Sequence, residues 1–232
     1  MYFSAPYSES LFLLAMCAIF LSGSEARWGH AAGWGLVAGL TRPNGWLLAV
    51  PLLFVIRRHV AFTRPRQWIG PAAALVAPVA GMLLYTLYLH LRFGDGFAWL
   101  RGQAAWGREY RGLHLFVLDR LQYVAAYGIS GYLASKPIDA LNTIGAVLAV
   151  GLILPVTRRV GAEYGALVAV LVLPPLVMGG SMSIGRMTSI LFPLFVWLAL
   201  VVPPLYRPAV LVAFASLQGL CAVLFFTWRP LF

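Results

Sequence analysis

Three groups of charged and polar residues stand where apolar runs begin or break. Tyr7, Ser8 and Glu9 form the triplet YSE at the entrance to the run 9–23. Arg42 and Asn44 lie in LTRPNG (40–45), which interrupts the run 31–56, and Arg186 opens GRMTSILFP (185–193) just before a further run. A charge at such an edge is costly unless it has a partner or a task. A guanidinium can grip a phosphate through two parallel hydrogen bonds. A carboxylate can take a proton from a reacting hydroxyl. Each residue also has a plain structural use. Ser8 or Ser10 can cap a helix whose positive end suits Glu9, and either arginine can snorkel to headgroups or set the depth of a span. Both uses stay open for all three groups.

The stretch FGDGFAWLRGQAAWGREY (93–110) reads as a turn followed by a helix. One use is an amphipathic helix lying in the membrane interface. The other is a lid whose Asp95, Gln103 and Trp106 contact sugar hydroxyls and ring faces. His30, His59, His90 and His114 show no metal-ligand spacing. Walker A loops, GxGxxG and nucleophile elbows are absent from the sequence.

The elements that must position these groups follow from composition. Hydrophobic residues make up 61% of the 232 residues and charged ones 10%, with a mean hydropathy of +0.84. Soluble domains carry about a quarter charged residues. The chain is therefore expected to be an all-α, polytopic transmembrane helical bundle of seven to eight segments, a single domain over 1–232. The net charge of +10 comes from sixteen arginines and Lys136. Because they cluster between apolar runs, the bilayer and its anionic headgroups are the expected partner, and nucleic acid is not. Cys17 and Cys221 lie in apolar runs and form no disulfide framework. The N-terminus shows no basic region of the kind that opens a cleavable signal peptide.

The expected spans are 9–23, 31–56, 70–91, 139–156, 163–179, 188–205 and 208–226, with 92–138 as an external loop carrying the interfacial helix. RRHVAFTRPR (57–66) holds four arginines and TRR (157–159) two, and short arginine-rich loops face the cytoplasm. Two spans separate these loops, so they share a side and 93–138 faces outward. Pro43 removes a helix hydrogen bond and Asn44-Gly45 favours a turn. The run 31–56 is either one kinked span or, as preferred here, two half-helices, 31–41 and 45–56, with Arg42 and Asn44 at the tip. The half-helix form puts YSE, Arg42 and Arg186 on one face.

Four blocks, APYSESLFLLA, GLVAGLTRPNGWLLAVPLL, FGDGFAWLRGQAAWGR and GRMTSILFPLFVWLA, occur in that order over residues 5–199. Together they resemble the PIG-V family of mannosyltransferases, polytopic glycosyltransferases of the GT-C class. The resemblance implies transfer of a sugar, usually mannose, from a polyprenyl-phosphate donor on the outer face of a bacterial inner membrane, with no metal or other cofactor assigned. The residues read above as substrate-binding candidates are Tyr7, Ser8, Glu9, Arg42, Asn44, Asp95, Gln103, Trp106 and Arg186. The class carries its catalytic acid in an external loop that would precede YSESLF. No catalytic residue is therefore assigned within this chain, which reads as the C-terminal part of such an enzyme, completed by an upstream polypeptide. The competing class is a non-catalytic membrane subunit or a transporter-like protein, in which broken helices with buried polar groups also occur.

Overall fold

The computed structural model describes residues 8–59, 65–105, 112–179 and 184–227. Among these residues the fold is all-helical. Three helices are long and apolar enough to cross a membrane, over Ile69–Phe93, Pro137–Arg159 and Pro204–Val223, and shorter apolar helices accompany them.

The first four helices wind back and forth. Helix α1 (Glu9–Ser24) runs away from Glu9, and α2 (Trp28–Thr41) returns beside it. Pro43 then sets the geometry of the break. The residue before a proline is pushed out of the helical region, and Arg42 is extended, at φ −143° and ψ 135°. A 3-10 turn over Pro43–Leu48 folds back so closely that a Cβ on Gly45 would meet the Ala38 carbonyl oxygen at 2.4 Å. Helix α3 (Ala49–His59) therefore reverses direction. Its far end lies beside the end of α1, where Leu52 and Val55 approach Gly23, and beside the start of α2, where the His59 and Trp28 rings meet at 5.9 Å. The run 31–56 is thus two helices joined at Arg42–Leu48, the half-helix form expected from the sequence.

Helix α4 (Ile69–Phe93) lies parallel to α2 in the most extensive helix pair of the fold. Small residues let two backbones approach in the absence of side chains. A Cβ on Gly39 would fall 2.1 Å from the Pro78 carbonyl oxygen, and one on Gly81 2.3 Å from that of Leu36. Both obstacles are backbone, so neither can rotate away. Gly39→Ala is expected to force α2 and α4 apart and to lower stability by at least about 1–3 kcal/mol, the usual cost of overpacking. Thermal unfolding in detergent reads this directly. A melting point equal to wild type would mean that the pair is looser than these contacts require.

The segment between α4 and the next long span is more helical than the external loop expected there. After the turn at Gly94–Phe97, α5 (Ala98–Ala105) folds back on α4, with Trp99 Nε1 donating to Thr86 Oγ1 at 3.2 Å. Helix α6 (Leu113–Ser135) bends at Gly128, whose φ of 73° lies outside helical space. A polar latch holds α6 to α7 (Pro137–Arg159). Arg120 and Tyr132 of α6 both bond the Asp139 carboxylate and Thr143. Burial first, and then the bond to Asp139, push the Tyr132 phenol above its ordinary value, so it stays a donor at neutral pH.

Helices α7 and α8 (Ala162–Gly179) form a hairpin through Gly161, and Arg58 at the end of α3 pairs with buried Glu163 at the start of α8 at 2.7 Å. That contact brings Arg57 and Arg58 to the same end of the bundle as Arg158 and Arg159. The α-helix within the run expected over 188–205 is shorter than the run itself. Helix α9 (Ile184–Thr188) is a short element at the opposite end, resting on α7, and α10 (Phe192–Val201) follows after a break at 189–191. Helix α11 (Arg207–Phe226) packs on α10 through Phe195 and Phe214, and Arg207 Nη2 donates to the Ala199 carbonyl at 3.2 Å, satisfying a C-terminal acceptor of α10.

Candidate functional site

Glu9, Arg42 and Arg186 converge at the end of the bundle opposite Arg58. Three separate events bring them there. Glu9 stands in the first turn of α1, the proline break projects Arg42 from the tip between α2 and α3, and Arg186 projects from the middle of α9. Arg42 Nη2 and Arg186 Nε each lie 3.2 Å from Glu9 Oε1. Arg42 Nη1 also donates to Met187 Sδ at 3.5 Å, and its guanidinium lies 5.7 Å from the centre of the Phe12 ring.

The cluster is dry. The Glu9 side chain is 1% exposed, those of Arg42 and Arg186 15% and 16%. Burying a charge is tolerable only when it is paired and hydrogen-bonded. Taken by themselves, Glu9, Arg42 and Arg186 sum to one positive charge. Glu9 Oε2 has no hydrogen-bond partner among the described residues. Guanidiniums are forked donors, suited to an anion with several oxygens such as a phosphate.

The remaining candidates are placed differently. Ser8 occupies the N-cap position of α1 but is itself in the helical region and makes no side-chain cap bond. The expected cap is therefore absent, and Glu9 is tied to the arginines of other helices. Asn44 is half-buried in the 3-10 turn beside Arg42. Asp95 closes its own turn, accepting the Phe97 N–H at 3.0 Å and pairing with Arg101, so its short side chain is used locally. Tyr7, Trp106 and the side chain of Gln103 lie outside the described residues.

Three residues near the cluster escaped the sequence reading. Phe12 and Met187 carry no signal beyond being apolar near Glu9 and Arg186. Asn142 does carry one, since a lone amide inside the apolar run 139–156 is a polar group that needs a partner. On the other side of α9, Gly185, Thr188 and Ser189 border a cavity of about 700 Å³. It extends between α10 and α11, where Phe195, Leu198 and Phe214 line it. Comparisons of the chain with protein-family models, with curated proteins and with solved structures each found no match.

Proposed function

We propose that the chain is a membrane glycosyltransferase, a mannosyltransferase of the PIG-V type, that draws its sugar from a polyprenyl-phosphate donor. The observation that carries this reading is the convergence of Glu9, Arg42 and Arg186. These residues come from three of the four sequence blocks on which the resemblance rests. In the proposed reaction an acceptor hydroxyl oxygen bonds to the anomeric carbon while the bond from that carbon to the phosphate oxygen breaks. Negative charge grows on the departing phosphate, and Arg42 and Arg186 stabilise it in a largely buried site. The apolar cavity between α10 and α11 offers room for an isoprenoid chain next to α9. Removing the acceptor's proton is the task that the resemblance gives to an acidic residue preceding the YSE block.

In this reading the protein crosses the membrane with seven to eight segments, counting α2 and α3 as a broken pair. The arginine-rich end that carries Arg58 and Arg158 is cytoplasmic, and the Glu9 cluster opens on the outer face. A single cysteine at Ala61→Cys, with Cys17 and Cys221 replaced by serine, is expected to resist an impermeant thiol reagent in intact cells and to react after permeabilisation. Labelling of that cysteine from outside intact cells would invert the topology.

Binding tests the function. The chain in nanodiscs is expected to retain a polyprenyl phosphate and to release the matching uncharged polyprenol, as read by native mass spectrometry. Transfer of labelled mannose from polyprenyl-phosphate mannose to a lipid or protein acceptor is expected only when a polypeptide carrying the acidic residue that removes the acceptor's proton is also present, and the 232-residue chain alone is expected to show none. Equal retention of the phosphate and the alcohol would overturn the reading.

A further inference from the structure

We infer that Asn142 is a positioning residue that holds α9 so that Arg186 meets Glu9. Its link to phosphate binding rests on the function proposed above. Asn142 belongs to α7, an apolar helix, and is 4% exposed. An amide buried there is costly unless its polar atoms are used. Its Nδ2 donates to the Ile138 carbonyl of its own helix at 3.1 Å, and its Oδ1 accepts the Gly185 backbone N–H at 2.8 Å.

That N–H is special. Gly185 is the second residue of α9, and the first N–H groups of a helix have no acceptor within it. Asn142 therefore supplies, from a different helix, the oxygen that an N-cap side chain ordinarily provides. The fit is close. A Cβ on Gly185 would lie 3.0 Å from Asn142 Oδ1, and one on Gly145 would lie 3.3 Å from the Gly185 Cα. Glycine at both positions lets the α9 backbone rest directly on α7.

Helix α9 has only five residues, too few to stabilise itself. Its placement comes from what it rests on. Arg186 follows Gly185 directly in the chain, so the bond that fixes the Gly185 amide also fixes where the Arg186 side chain departs. A misplacement of about 1 Å in a binding group can cost about a hundredfold in rate. Asn142 touches neither Glu9 nor the proposed phosphate in this arrangement. Its effect is transmitted through the α9 backbone.

The test compares Asn142→Leu, which keeps the branched shape and removes the acceptor, with Asn142→Asp, which keeps an oxygen for Gly185. In Asn142→Leu, backbone hydrogen exchange over 184–188 is expected to rise at least tenfold, with exchange over 163–176 unchanged. Asn142→Asp is expected to restore protection. The dissociation constant for polyprenyl phosphate is expected to rise about tenfold in Asn142→Leu and to change no further when Arg186→Ala is already present. A merely structural asparagine would instead weaken binding by the same factor in both backgrounds, and that result overturns the inference, as does unchanged exchange at 184–188. If the wild-type chain binds no polyprenyl phosphate, the proposed function fails alone. The inference is then decided by exchange and by coupling in thermal unfolding, where the joint fall in melting temperature for Asn142→Leu with Arg186→Ala is expected to be smaller than the sum of the single falls. Additive falls would overturn it.

Discussion

Glu9→Leu is expected to destabilise the protein by about 3–5 kcal/mol, the range seen when one partner of a buried ion pair is removed and the other charge stays behind. Here two charges stay behind. Arg42 and Arg186 both lie 3.2 Å from the same carboxylate oxygen, so its loss leaves two mostly buried guanidiniums facing each other. The elements they belong to would also lose their common anchor, since Glu9 is where α1, the tip between α2 and α3, and α9 meet. Glu9→Gln separates charge from hydrogen bonding. Its amide oxygen still accepts from one arginine, but the negative charge is gone, and an intermediate loss is expected. Reversible unfolding in mild detergent, with helicity as the signal, measures all three proteins. A Glu9→Leu variant within about 0.5 kcal/mol of wild type, the scatter of an ordinary surface substitution, would show that the three residues do not depend on one another for burial.

Arg42→Ala and Arg186→Ala are each expected to weaken polyprenyl-phosphate binding roughly ten- to a hundredfold. A hydrogen bond to a charged group is worth about 1.5–3 kcal/mol, and each 1.4 kcal/mol is a factor of ten in affinity. Where the acidic residue that removes the acceptor's proton is supplied, sugar transfer from the same donor is expected to fall by a similar factor, because the charge the arginines face grows as the phosphate leaves. The lysine variants carry the decisive contrast. An ammonium is a point charge and cannot make the paired, parallel contact of a guanidinium, so Lys restores only part of the loss at a phosphate site. At a membrane anchor the outcome differs, since Lys snorkels as well as Arg and would restore full function. Affinity and rate are measured per folded molecule, because each Ala variant also strips Glu9 of a partner. Near-normal binding in both Lys variants, with poor insertion of the Ala variants, would make both arginines anchors and move the phosphate site elsewhere.

Much of the helix layout is legible in the sequence because its causes are local. The apolar runs 9–23, 70–91, 139–156, 163–179 and 208–226 match α1, α4, α7, α8 and α11 within a few residues, since a long apolar run and the proline or glycine that ends it act on the backbone nearby. The break at Arg42 is legible for the same reason. Pro43 forbids the next turn of helix and forces the residue before it to extend. Where the local signal weakens, the expectation departs from the structure. The mixed segment 92–138 holds the long helix α6, bent at Gly128, and of the run 188–205 only Phe192–Val201 forms an α-helix, preceded by the short α9, which is seated on α7 by contacts that no window of sequence contains.

The candidate site divides in the same way. Residue type and position at the edge of an apolar run single out Glu9, Arg42 and Arg186, because a charge in such a place must be paired or used. Which charges pair is a matter of tertiary structure. Asp95 and Glu9 look alike as acids beside helix starts, yet Asp95 reaches Arg101 within its own turn and is spent there, whereas Glu9 meets Arg42 and Arg186 from distant parts of the chain. The seating of α9 on Asn142 decides this, and it depends on close backbone approach between Gly145 and Gly185, which are far apart in sequence. Composition and local pattern dictate an arginine-rich helical bundle with apolar runs long enough to cross a membrane and a proline-made break. The tertiary structure alone decided that one carboxylate and two arginines share a buried site, because only packing sets which distant charges lose their water together.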